Sequence, residues 1–297
     1  MNEKLIKKQY LKKISDLQRH NQAYYDKSAP LITDVDYDKL KNDIINFEKK
    51  YKFLKNQNSP SQLVGFRPSK NFKKIKHKVP MLSLSNAFDE EDLINFEKRI
   101  TNYLDKNISS NIEYSAEPKI DGISASLYYR DGKFIVGLSR GDGKEGEDIT
   151  RNLYTIEDIP KKILSKNFPK EIDIRGEVFI QNNDFENLKD KFANPRNAAS
   201  GSLRQKSPED TKKIPLKFIA YTFGFEKGLN VDNQFDYLQK LSSWGFKTNP
   251  LNKLISGVKN LINNYNDIEK KRANLNFDID GIVYKVNDFD LQKRLGY

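Results

Sequence analysis

The apolar residues of this chain change their spacing near residue 112, and that change constrains the fold more than any other feature. Before it, Ile6, Tyr10, Ile14 and Leu17 recur at helical intervals, as do Tyr37, Leu40, Ile44 and Phe47, and then Leu93, Phe96, Ile100 and Leu104. After it come short runs rich in β-branched and aromatic residues, over 112–117, 123–129, 133–139, 172–180, 216–225 and 277–286. The Asp131-Gly132 pair between two of these runs is a hairpin signal. Helices are expected in between, at 183–192, 235–244 and 259–273. Strands that cluster around a hairpin, instead of alternating regularly with helices, predict an antiparallel-rich α+β fold and not a doubly wound parallel sheet.

The opening stretch, to about residue 65, reads as a helical hairpin, and Thr33 with Asp36 gives its second helix a Thr-x-x-Asp capping pattern. Breaker residues at Ser59-Pro60 and Gly65-Phe66-Arg67-Pro68 then mark a boundary. The expected organisation is a helical subdomain over 1–68 and one large domain over 69–297.

Lys and Arg outnumber Asp and Glu by 52 to 41, a formal charge of +11, which suits a polyanionic partner. Runs such as Lys7-Lys8, Lys12-Lys13, Lys49-Lys50 and Lys270-Lys271 are equally well read as solvated helix faces, so charge alone supports nucleic-acid binding weakly. With no Cys and only His20 and His77, thiolate and multi-histidine metal sites are excluded. The N-terminus lacks the apolar core of a signal peptide, and no run approaches the roughly 20 apolar residues of a membrane span. A cytoplasmic protein without a membrane partner is expected.

Lys119-Ile120-Asp121-Gly122 falls between two strand-like runs and sets an amine, a carboxylate and a conformationally permissive glycine on a turn. A lysine attacks phosphorus only as the free amine, so such a site must lower its pKa with cations, a metal or desolvation. Chance alone would place Lys-x-Asp-Gly in roughly one chain of this length and composition in six, so a surface turn explains those four residues as well. Their ordered company does not fit that reading. Glu117 lies upstream, Ser139-Arg140-Gly141-Asp142-Gly143 and Arg175-Gly176-Glu177-Val178 follow, and Asp280-Gly281-Ile282-Val283-Tyr284-Lys285 comes last. In that last run Lys285 shares strand parity with Phe277, Ile279 and Val283, which turns its ammonium toward an otherwise apolar side, unless the strand ends there and the lysine snorkels.

In this order the motifs resemble the covalent nucleotidyltransferase superfamily of DNA ligases, RNA ligases and mRNA capping enzymes. Met81-Leu82-Ser83-Leu84-Ser85-Asn86, Gly146-Glu147-Asp148-Ile149-Thr150 and the 14-residue block from Phe192 to Gln205 narrow the resemblance to the bacterial NAD⁺-dependent DNA ligases. It covers essentially the whole chain, including Tyr24-Tyr25 and Asp34-Val35-Asp36-Tyr37-Asp38 in the N-terminal appendage distinctive of that branch.

That resemblance implies an antiparallel-rich nucleotidyltransferase (adenylation) fold behind a small helical subdomain. Lys119 would take AMP from NAD⁺ with release of nicotinamide mononucleotide (NMN), and AMP would then pass to the 5′-phosphate of nicked double-stranded DNA in replication and repair. Mg²⁺ or Mn²⁺ is the implied metal, with no ligand set assigned, and the protein is expected to act as a monomer. Asp121 is the implied partner of the reacting centre, on metal or on hydroxyl. Ser83, Leu84, Glu117 and Lys285 are the implied adenine-side contacts, with Arg140 and Glu177 on the ribose. A carboxylate and an ammonium match adenine's donor and acceptor edge. Tyr24, Tyr25, Asp34, Val35, Asp36, Tyr37 and Asp38 form the implied NMN site, where rings stack on the cationic nicotinamide, although Tyr25 stands where the family can carry His.

Arg196, Arg204 and Arg272 match family arginines around the site and the DNA path, and structural ion pairs would suit them too. Arg196 and Arg204 flank the small residues Asn197 to Ser202, which permit close approach of a ligand or a strand. The chain stops at Leu295-Gly296-Tyr297, before the family's last lysine-bearing adenylation motif, and without the oligonucleotide-binding, four-Cys zinc, helix-hairpin-helix and BRCT regions. Weak self-adenylation and no full nick sealing are therefore expected of this length of chain. Two other readings share part of the pattern. An ATP- or GTP-dependent nucleotidyltransferase shares the core motifs but not the appendage. A noncatalytic DNA-binding relic sits poorly with intact Lys119, Asp121, Glu177 and Lys285.

Overall fold

A computed structural model of the chain describes residues 3–26, 32, 34–54, 72–104 and 112–296. Two helices open it, α1 (Glu3–Asp26) and α2 (Asp34–Lys50). The two expected stripes meet: Ile6, Tyr10, Leu17 and Ile44 are buried with Leu54, and Ile14, Tyr37, Leu40 and Phe47 pack against them. The buried Tyr10 hydroxyl donates to Glu48 at 2.7 Å, so that buried carboxylate has a partner. Thr33, the expected cap, and the breaker residues 59–68 lie outside the described residues.

The chain continues through β1 (Lys74–Lys76), α3 (Glu90–Tyr103), β2 (Glu113–Ile120), β3 (Ile123–Arg130), β4 (Lys133–Ser139), β5 (Glu145–Glu147), α4 (Thr150–Leu153) and β6 (Glu171–Ile180). It then runs α5 (Asn182–Phe185), α6 (Pro195–Leu203), α7 (Pro208–Lys212), β7 (Leu216–Lys227), α8 (Gln234–Ser243), β8 (Lys253–Ser256), α9 (Val258–Arg272), β9 (Ile279–Val286) and α10 (Phe289–Leu295). Among the described residues the strands form three antiparallel sheets, ordered β1-β5, β8-β2-β9 and β4-β3-β6-β7, which is the α+β arrangement expected from the strand clustering. Asp131 and Gly132 take φ of 48° and 72°, as a tight hairpin between β3 and β4 requires.

The expected helix at 183–192 is a correction. It is only α5 followed by a 3₁₀ turn, Glu186–Leu188. Its buried residues, Phe185 and Leu188, are three apart, a spacing that a 3₁₀ turn places on one face and that gives no second helical turn anything to bury. None of the described helices is long and apolar enough to cross a membrane.

Contacts divide the chain into two compact units, Met1–Ser83 with Arg140–Asp148, and Leu84–Ser139 with Ile149–Tyr297. In the first, β1 and β5 pair from Lys74↔Glu147 to Lys76↔Glu145. In the second, one face of the β8-β2-β9 sheet buries Tyr114 and Val286 against Ile100, Leu104, Ile112 and Leu261 from the flanking helices and strand ends. That cover leaves the opposite face of β2, with Ser115, Glu117 and Lys119, free to carry polar side chains.

Candidate active site

Lys119 sits at the end of β2 and not on a turn, as the sequence suggested, paired with Gly281 of β9. The register then shifts: Ile120 pairs with Ile279, and Asp280 is left as the extra residue of a β-bulge. Gly281 has φ of 143°, a backbone conformation that favours glycine and that the bulge needs. The consequence is chemical. Freed from strict alternation, the Asp280 carboxylate accepts from Lys119 Nζ at 2.5 Å.

Arg196 Nη1 donates to Asp121 at 2.5 Å and stands 3.9 Å from Asp280, so two cations and two carboxylates alternate around the end of β2. Burial pulls the Arg196 guanidinium below its ordinary pKa and Asp280 pushes it back, yet arginine stays charged under either influence. Arg196 is delivered by α6, whose N-cap Asn194 accepts from the Asn197 amide and whose Pro195 begins the helix. The small residues after it are small because the helix lies on β6: Ala198, Ala199, Ser200 and Ser202 are all buried. Arg204 is the C-cap of the same helix, half-buried.

Gly122 corrects another expectation. It is not needed for a left-handed φ, since its backbone is not among those of positive φ. It is needed for clearance: a Cβ there would stand 2.4 Å from the Val178 carbonyl and 2.8 Å from Cγ of Glu177. The glycine of the motif thus lets β6 bring Glu177 against the turn, where Ser124 Oγ donates to its carboxylate at 2.9 Å.

One step back along β2, Glu117 is 4% exposed and holds Lys285 Nζ at 2.8 Å. Ser115 Oγ and Gln234 Nε2 each donate to the other Glu117 oxygen at 2.9 Å. Lys285 also donates to the Tyr221 carbonyl at 3.1 Å and lies 5.4 Å from the centroid of that ring. The side it faces is therefore polar, not apolar as strand parity implied, because β2 of the same sheet supplies the carboxylate and β7 of a second sheet supplies the carbonyl. A buried ion pair of this kind is a costly way to build a core and a useful way to hold two charges where a ligand can meet them.

The remaining expected residues distribute as follows. Ser83 and Arg140 belong to the first unit, where Arg140 Nη2 donates to Ser83 Oγ at 3.1 Å and its Nε to the Met81 carbonyl at 3.3 Å. Gly141 and Gly143, with φ of 57° and 87°, turn the chain back there into β5. Leu84 opens the second unit and is exposed. Tyr37 is half-buried and its hydroxyl donates to Asn21 at 2.7 Å, while Asp36 is exposed on α2. Tyr24 and Tyr25 fall in α1, and Asp34, Val35 and Asp38 in α2, but their side chains lie outside the described residues. Arg272 ends α9, half-exposed, 3.8 Å from Glu269.

Asp280 and Gln234, like Ser115, Ser124 and Tyr221, were brought into the site without being singled out as site residues from the sequence. Asp280 had a signal, a Gly directly after it inside a strand pattern, which marks a bulge. Gln234 had none.

An antiparallel α+β fold with a strand-end lysine paired to a carboxylate, close to a second and more enclosed ion pair, is the class that these features define. The NAD-dependent DNA ligase adenylation domain matches residues 69–297, and the DNA ligase-like N-terminal NAD⁺-binding domain matches residues 3–65. The chain belongs to the NAD-dependent DNA ligase family. It is 68% identical over 297 residues to a DNA ligase of Pelagibacter ubique, covering 100% of this chain and 44% of that protein. A DNA ligase of Parvibaculum lavamentivorans is 46% identical over 95% of this chain and 41% of its own length. The chain thus spans about two fifths of the curated relatives it matches.

Proposed function

We propose that this chain forms a covalent lysyl-AMP from NAD⁺ and that, as part of a longer ligase, it passes AMP to nicked double-stranded DNA. The observation that carries the reading is the contact between Lys119 and Asp280, set beside the buried Glu117–Lys285 pair. Lys119 Nζ forms a bond to the α-phosphorus of NAD⁺, and the bond from that phosphorus to the bridging oxygen breaks, so that NMN leaves with the oxygen. The lysine must first lose a proton, and Asp280 is the carboxylate in contact with it. A 5′-phosphate oxygen then displaces Lys119 from AMP, and a 3′-hydroxyl displaces AMP to join the strand.

Within this reading Glu117 and Lys285, with Ser83 and Leu84, take the adenine, while Arg140 and Glu177 take the ribose. Arg196, Arg204 and Arg272 meet phosphates. Tyr24, Tyr25, Asp34, Val35, Asp36, Tyr37 and Asp38 hold the NMN half, in a helical subdomain over 1–68 joined to an adenylation domain over 69–297. The protein acts as a monomer in the cytoplasm.

Among the described residues no three or more His, Asp or Glu side chains converge as a metal cage. Two partly buried carboxylates, Asp121 and Asp280, do fit Mg²⁺, which takes one or two protein carboxylates and completes its shell with phosphate and water. They are the groups that would hold Mg²⁺ or Mn²⁺, and the ion would offset charge on the transferring phosphate.

The test is intact-mass spectrometry after incubation with NAD⁺ and Mg²⁺. We expect an AMP adduct on the wild-type chain and none on Lys119→Ala. An adduct that persists in Lys119→Ala rules out this nucleophile, and labelling by ATP but not NAD⁺ rules out the cofactor.

A further inference from the structure

Gln234 is the first residue of α8 and is 1% exposed. A helix start does not call for a buried amide there, because Asn233 already caps the helix by accepting from the Asp236 amide at 2.8 Å. The Gln234 side chain instead donates through Nε2 to Glu117 Oε1 at 2.9 Å and to the Tyr221 carbonyl at 2.7 Å. A carboxylate and a carbonyl only accept, so chemistry fixes the orientation of this amide, with its NH₂ turned toward both. The backbone holds it from the other side: Gln234 N–H donates to the Asn287 carbonyl at 2.8 Å, and Phe235 N–H to Asn287 Oδ1 at 2.9 Å.

The circuit closes through Lys285, whose ammonium donates to Glu117 Oε2 and to the same Tyr221 carbonyl. An ammonium carries three N–H donors. Two are taken by these acceptors, and the direction of the third follows from where Glu117 and Tyr221 are held. Besides Lys285 itself, Gln234 is a side chain that grips both, so it bears on that direction without needing to touch a ligand.

We propose that Gln234 is a positioning residue for purine selection, aiming the free N–H of Lys285 at a ring nitrogen that accepts, and so favouring adenine over a base that carries a proton at that position. This rests on the reading of Glu117 and Lys285 as adenine contacts. Hypoxanthine is the sharpest probe, since it keeps the purine shape, carries N1–H and exchanges the 6-amino donor for a carbonyl. An ammonium and a carboxylate would then each face the wrong partner.

The experiment is calorimetric titration of the 297-residue chain with NAD⁺ and with nicotinamide hypoxanthine dinucleotide, for wild type, Gln234→Met and Gln234→Glu. Wild type is expected to prefer NAD⁺ by about tenfold or more, and Gln234→Met to cut that ratio to about threefold or less. A purely structural role for Gln234 would lower both affinities together and leave the ratio unchanged.

Gln234→Glu supplies a second, independent reading should the Met variant fail to fold. A carboxyl beside Glu117 donates only while it keeps its proton, and its neighbour raises its pKa. Because its one O–H restores one of the two bonds, its ratio is expected to be higher near pH 5.5 than at pH 8, where it collapses. Variants that keep the wild-type ratio at pH 8 overturn the inference alone. A wild-type chain that binds both dinucleotides equally overturns the adenine-contact reading and the inference with it.

Discussion

Glu117 and Lys285 show how a single residue is held to its task. Glu117 is enclosed and Lys285 mostly so, and each takes its main partner from the other and from neighbours placed around them. Removing one partner strands a buried charge, which costs roughly 3–5 kcal/mol, whereas removing both is often close to neutral. Lys285→Met is accordingly expected to lower unfolding free energy by about 3 kcal/mol. The Glu117→Gln/Lys285→Met double variant is expected to recover most of that loss in urea denaturation while still failing to bind NAD⁺. A double variant as unstable as the single one would show that the pair is not a self-contained unit.

Lys161 is a simpler case, away from the site. Burial pulls its pKa down to about 8, with Asp158 opposing, and its ammonium donates to the Ile156 carbonyl at 2.6 Å. Its value in the folded chain lies below the unfolded value of about 10.4, so between those two the unfolded chain holds more protons and stability rises with pH. The penalty of burying the charge is present in full below pH 8 and is relieved as pH climbs to about 10.4. Denaturation of wild type and Lys161→Met at pH 7 and pH 10 is expected to show wild type gaining on the variant at the higher pH. No change in their difference would mean that Lys161 keeps its solvent-like affinity for the proton.

Among elements, α6 carries the clearest dependence of site on fold. Its first turn positions Arg196, and its last carbonyl, Leu203, and the Gln205 carbonyl beyond it both accept from the buried Asn152 amide, at 3.0 and 2.9 Å. Asn194→Ala removes the N-cap and is expected to cost about 1 kcal/mol of stability. Because Arg196 follows two residues later, the loss of AMP attachment measured by mass spectrometry is expected to exceed what that small destabilisation explains. Equal effects on both would make Asn194 structural only.

The long elements of this chain were readable because each repeats its period several times. The stripe from Ile6 to Leu17 is an example. Strands β1, β5 and β8, of three, three and four residues, fall below that limit and exist because longer partners or turns present them. Lys119, Glu117 and Lys285 were legible from their order. Asp280 was not legible as a neighbour of Lys119, because strict alternation along β9 turns it to the wrong face and only the bulge at Gly281 corrects this. Gln234 could not be found at all, since the partner that gives it meaning is 117 positions away.

For the whole molecule, the charge of +11 is the property that no single contact expresses. If it serves a polyanion through phosphate neutralisation, binding releases counterions and weakens with salt. Fluorescence anisotropy with a nicked duplex is expected to show affinity falling at least about tenfold between 50 and 200 mM salt. A response that stays flat over that range would assign the excess lysines to solvation alone.

The pairing of β1 with β5 carries a consequence for synthesis. The first strand leaves the ribosome with its partner still about 70 residues behind it, and all of β2, β3 and β4 is made in between. At about 5–20 residues per second, the β1 edge waits several seconds before it can be paired. The first compact unit therefore cannot be finished in the order in which it is translated: its last strand arrives only after the hairpin of the second has been made.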